Sequence, residues 1–197
     1  MFKTASGVII PFPNLIKEQY SISENQIMFN ISFEKLKSFF VDFLTNLSEP
    51  LYFILQKPTN EKHTPNTIIK GPFQSELLFY DLPTRTQICD VLDQYGEILL
   101  NDGMSQFGVR SLESGDEIFI AKYKIGLIFS DNVQKYSFLL NKYGILKTHN
   151  LITAWDTFSP DYPGQCSRIV IDNKDIYKVA EELKEISPRF ESKIVDE

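Results

Sequence analysis

The chain has 197 residues, a net charge of −6, 43% apolar residues, and 16 Phe with 9 Tyr. That length suits one domain, and that much aromatic side chain supplies a core, which sets disorder aside. The acidic balance argues against direct binding of nucleic acid or of anionic membrane surfaces, both of which are held by Lys and Arg.

In chain order, "MFKTASGVIIPFPN" has a short apolar run stopped by Pro11. It lacks the apolar stretch of about 7–15 residues that a secretory signal needs, so a cytoplasmic protein is expected. No run reaches the roughly 20 apolar residues that span a bilayer. "GVII" reads as a short strand. Phe33, Leu36, Phe40, Phe43, Leu44 and Leu47 then recur at helical spacing, and Pro50 closes that helix. "LYFILQ" reads as a buried strand, and "KPTNEKHTPNTIIKGP" as a loop.

A pattern follows three times. "LLFYDLPTRTQICDVLDQYGEILL" and "LIFSDNVQKYSFLLNKYGILKT" each run strand, aspartate (Asp81, Asp131), amphipathic helix and Tyr-Gly (Tyr95-Gly96, Tyr143-Gly144). "RIVIDNKDIYKVAEELKEI" repeats strand, Asp172 and helix. Glycine after a helix is a usual left-handed stop. Thr84 with Gln87, and Asp131 with Gln134, resemble capping boxes. The first helix is expected to give way to another strand. "NDG" and "ESGD" are turn signals, with Gly103 and Gly108 assigned to a hairpin and a bulge. The expected class is α+β: a mixed β-sheet with three to four helices packed on one face, built from repeated strand–helix units. One domain over 1–197 is predicted, with an N-terminal subregion at 1–56, a Pro-rich loop at 57–72 and a main body at 73–197.

The chemistry-bearing residues are sparse. Asp81, Asp131 and Asp172 follow strands and could share a divalent ion if they converged at one sheet edge. The commoner role for such residues is to start helices. His63 and His149 have no ligand neighbours at metal spacing. Cys89 and Cys166 make no disulfide framework. Cys89 reads as a buried thiol in a helix, and a Cys166–His149–Asp156 arrangement is no more than the coincidence any chain of this size offers. No phosphate-binding or nucleophile motif is present. No catalytic residue, metal site or cofactor is therefore predicted.

Two features suggest binding. "LITAWDTFSPDYPGQCSRIVI" reads as two strands joined by a turn-rich loop, with Trp155 pinning its base in the core and Phe158, Asp161 and Tyr162 offered to a partner. Residues 76–117 hold nine acidic residues against Arg85 and Arg110 only, a net −7. Asp90, Asp93 and Glu97 fall on one side of the helix there, and Asp102, Glu113, Asp116 and Glu117 follow. An acidic face that attracts a basic protein partner is expected. The leading expectation is a cytoplasmic protein-binding module of the immunity or antitoxin type, neutralising a basic partner such as a nuclease toxin. A carboxylate-based, metal-dependent enzyme and a regulatory or structural subunit of a larger assembly are the alternatives. The sequence leaves the oligomeric state open.

Overall fold

A computed structural model describes residues 2–59, 74–187 and 189–196. The elements run β1 (Val8–Ile9), β2 (Gln19–Ser23), β3 (Gln26–Phe29), α1 (Phe33–Leu44), β4 (Leu51–Pro58), β5 (Gln74–Asp81), α2 (Arg85–Asn101) and β6 (Gln106–Ser111). They continue with β7 (Glu117–Ile120), β8 (Gly126–Phe129), α3 (Ser137–Lys142), β9 (Leu146–Lys147), β10 (Gln165–Cys166), α4 (Ile176–Ile186) and β11 (Phe190–Asp196). Most of the expected Pro-rich loop, with His63, lies outside the described residues.

Nine strands form one sheet in the order β11-β5-β4-β6-β7-β8-β3-β2-β9, antiparallel except for the β2–β9 pair. β4 lies between β5 and β6, so residues 51–58 are central to the sheet. The class is α+β, as the alternation of strand and helix patterns implied. Strand-to-helix steps occur at β3–α1, β5–α2 and β8–α3.

Alternation along each strand decides what the helices cover. Phe53 and Leu55 on β4, Leu78 and Tyr80 on β5, Phe107 and Val109 on β6, and Ile118 and Ile120 on β7 join one core with Leu36, Phe40, Phe43, Ile88, Leu92, Leu99 and Leu183 from the helices. Phe40 and Phe53 both pack on Phe107, at 5.3 and 6.3 Å between ring centres. All four helices contribute to this one side of the sheet. A second, smaller core of Ala5, Val8, Ile10, Ile16, Ile125 and Ala154 lies against Met28, Tyr123 and Phe158.

Local signals that depend only on neighbours fold as expected. Thr84 and Gln87 form the capping box of α2, and Gly144 takes a left-handed φ of 75° after α3. Several expectations are corrected. Gly96 does not stop its helix, because α2 continues to Asn101, and the strand that follows, β6, starts only at Gln106. The φ of Gly96 is not left-handed, and the apolar face continues through Ile98 and Leu99. Asp131 is not a cap: Asn132 occupies that position, and no side chain bonds the turn. The stretches 151–154 and 168–171 are not strands. Ile169 spends its N–H on Asp102, and Ile171 turns back to Lys174 through Asp172 and Asn173, both at positive φ. The α4 cap is Asp175, which accepts from the N–H groups of Tyr177 and Lys178. Trp155 is 43% exposed on a single helical turn and does not pin a core.

Candidate functional site: the open face of the sheet

Among the described residues no α-helix packs on the other face of the sheet, whose side chains are mostly half-buried, with Ile54 only 4% exposed. Register places two rows of side chains across it. One runs Phe79, Ile54, Gly108, Phe119, Leu127, Met28. The next runs Asp81, Tyr52, Arg110, Glu117, Phe129, Gln26. Six strands at the usual spacing make each row about 24 Å long. Gly108 is required by close approach: a Cβ there would lie 2.6 Å from Phe119 Cδ2. The Phe119 ring therefore lies over the backbone of β6. The second core covers the Met28 end.

Arg110 is the hub of this face. It lines a groove of about 340 Å³ with Tyr52, Ile54, Phe79 and Leu112. It also lines a second groove, of about 460 Å³, with Asn25, Glu117, Phe129 and Asp131. Its guanidinium lies 3.5 Å from the Glu117 carboxylate. Burial pushes the Glu117 carboxyl above the usual range, and Arg110 opposes that rise. An aromatic and aliphatic surface with a central Arg has the composition that anchors protein interfaces, where aromatic residues and Arg are enriched.

The acidic residues of 76–117 do not lie together. Asp90, Asp93 and Glu97 are exposed on α2, on the helix side, where Asp93 meets Lys37 of α1 at 3.0 Å. Glu117 lies on the opposite side, facing Arg110, and Glu113 is exposed in the β6–β7 turn. Asp102 is fully buried. It accepts from the N–H groups of Met104, Ser105 and Ile169, and burial raises its carboxyl above the usual range. Asp116 is 2% exposed and binds Lys135 at 2.5 Å. Burial would raise it, but Lys135, Ser130 and Ser114 outweigh that and hold it below the usual carboxylate range. Asp102 and Asp116 thus fasten loops and present no surface charge.

In the 154–166 loop, Phe158 is partly buried against Tyr123 at 4.7 Å. Asp161 is exposed, and Tyr162, 58% exposed, meets Phe12 edge-on at 5.4 Å. Asp156 is committed to the N–H and hydroxyl of Thr153, both at 2.8 Å. Burial raises the Cys166 thiol, and the groups that act on it are Tyr123, Lys124 and Lys122. Cys89 is partly rather than fully buried, at the edge of the main core.

The strand-end aspartates do not converge. Asp81 ends β5 and Asp131 follows β8, at the same end of the sheet but four strands apart, about 19 Å at the usual spacing. Oxygen ligands sit about 2.3–2.6 Å from a shared ion, so these two cannot hold one. Among the described residues no group of three His, Cys, Asp or Glu is placed to hold a metal.

Sequence reasoning missed Arg110, Tyr52, Phe79, Phe119 and Phe129. The available signal was apolar residues at both parities of "LYFIL", "LLFY" and "EIFI", in strands that the turn signals make antiparallel. Such strands usually alternate apolar with polar when one face is solvated.

No family model, curated protein or solved structure matches this chain.

Proposed function

We propose that the chain is a protein-binding module whose docking surface is the open sheet face around Arg110. The observation that carries this reading is the registered row Phe79, Ile54, Gly108, Phe119, Leu127, flanked by Tyr52, Arg110 and Phe129. Among the described residues no α-helix covers it; Ile54 is buried, Phe79, Phe119 and Leu127 are half-buried and Phe129 is exposed, and apolar surface gathered on one face marks an interaction site. The same surface serves a subunit of a larger assembly, which is a special case of binding.

A second reading rests on charge. An immunity- or antitoxin-type protein in the cytoplasm would hold a basic partner, such as a nuclease toxin, on α2, where Asp90, Asp93 and Glu97 are all exposed. The two surfaces lie on opposite sides of the sheet, so one experiment separates them. A partner captured from the native host and purified is titrated against Arg110→Ala, Phe129→Asp and the triple variant Asp90→Lys, Asp93→Lys, Glu97→Lys. Docking on the sheet predicts roughly tenfold or greater loss from each of the first two, since a hot-spot residue is worth about 2 kcal/mol or more and about 1.4 kcal/mol is tenfold. A large loss from the triple variant alone, with a steep fall of the on-rate in salt, would favour the charge reading.

A further inference from the structure

The two edges of the sheet differ. One is β9, only two residues long and paired in parallel with β2. Very short edge strands are one way proteins avoid edge-to-edge pairing. The other edge is β11, seven residues whose partner among the described residues is β5, along one side only. No described residue pairs with its second side, which runs about 23 Å. Phe190 is 44% exposed and Ile194 is 54% exposed. Such a strand is a template for another strand.

We propose that β11 pairs antiparallel with β11 of a second copy of this chain, centred on Ser192. In that register Glu191 of each copy lies opposite Lys193 of the other, giving two opposite-charge pairs. Phe190 lies opposite Ile194, giving two apolar pairs. Ser192 lies opposite its own counterpart on the two-fold axis. Faces match as well. Glu191 and Lys193 pair with Phe79 and Leu77 and therefore lie on the open face, while Phe190 pairs with Tyr80 on the helix face. Every cross-strand pair thus joins like faces, and the helices of both copies stay on one side of a continuous sheet. The neighbouring face-matched registers fail on charge. Centring on Lys193 sets Lys opposite Lys, and centring on Glu191 sets Glu opposite Glu; like charges directly opposite are destabilising. Self-pairing of one patch about a two-fold axis is the commonest form of homodimer. Glu191 also lines the Arg110 groove, so the two proposals are told apart by the charge exchange, which restores self-association only if β11 pairs with its own copy.

The test is self-association by analytical ultracentrifugation on the full chain. Wild type is expected to dimerise in the micromolar range. Glu191→Lys or Lys193→Glu alone should weaken association roughly tenfold or more, and the two together should restore it, because the exchanged pair is again opposite in sign. Ser192→Cys should give a disulfide-linked dimer on mild oxidation, since opposite residues lie within the span a disulfide bridges. Lys193→Cys should not. Circular dichroism checks that each variant folds. A monomer at tens of micromolar, or a dimer indifferent to the charge exchange, would overturn the proposal.

Discussion

The Tyr95 hydroxyl donates to a Glu182 carboxylate oxygen at 2.8 Å, and this bond ties α2 to α4. Lys174 reaches the same oxygen at 2.8 Å. The acidic residues of α4, Glu181, Glu182 and Glu185, therefore belong to a helix beside Asp90, Asp93 and Glu97, although nearly ninety positions separate them in sequence. Tyr95→Phe should loosen α4 first. Hydrogen exchange should show faster exchange of α4 amides while β4 and β6 stay protected. Equal acceleration in the central strands would show that the bond does not act locally.

In the 154–166 loop the anchor is Phe158, and Trp155 is secondary. A Cβ at Gly164 would lie 2.3 Å from the Phe158 ring, so loop backbone and ring are in direct contact. Phe158→Ala should cost about 2 kcal/mol, less than a fully buried phenylalanine because the ring is half-buried. Trp155→Ala should cost about 1 kcal/mol or less. Urea unfolding midpoints compare the two, and a larger loss at Trp155 would reverse the assignment.

Asp116 gives the fold an acid-sensitive clamp. Its carboxyl is held below an ordinary aspartate's 3.8 by Lys135, Ser130 and Ser114 against the opposing effect of burial. A depressed folded value means the unfolded chain takes up the proton first. The stabilisation is complete above the ordinary value and is lost as pH falls through the folded one. Between pH 7 and pH 3, wild type should lose stability more steeply than Asp116→Asn. Parallel curves would remove Asp116 from the acid response.

Lys124 is buried, and burial pulls its ammonium down to about 8. It donates to the carbonyls of Leu99, at 2.9 Å, and Ser105, at 3.2 Å, closing the end of α2. Lys124→Met should cost about 1–3 kcal/mol by leaving these acceptors unpaired. A neutral effect in chemical denaturation would show that water replaces the ammonium there.

What was legible in the sequence was local. The spacing of Leu36, Phe40 and Phe43 marks α1, and Thr84 with Gln87 starts α2, because both signals act within a turn or two of helix. The pairing of β11 with β5 is not local, and nothing in "FESKIVD" names its partner. The same holds for burial of charge. Asp102 and Asp116 look like surface carboxylates until Ile169 and Lys135, remote in sequence, arrive to bind them. The open face was hidden for a related reason. Phe79 and Phe119 read as core residues in strands that also hold Tyr80 and Ile118, and only the placement of the four α-helices on one side leaves them half-buried.

The most direct test of docking on the sheet is site-specific photo-crosslinking. A benzoyl-phenylalanine replaces Phe129 on the open face in one variant and Asp93 on α2 in another, each expressed in the native host and irradiated there. Docking on the sheet predicts a discrete adduct of one mass from the Phe129 position and none from the Asp93 position. An adduct from Asp93 alone would contradict it and move the binding site to the acidic helix.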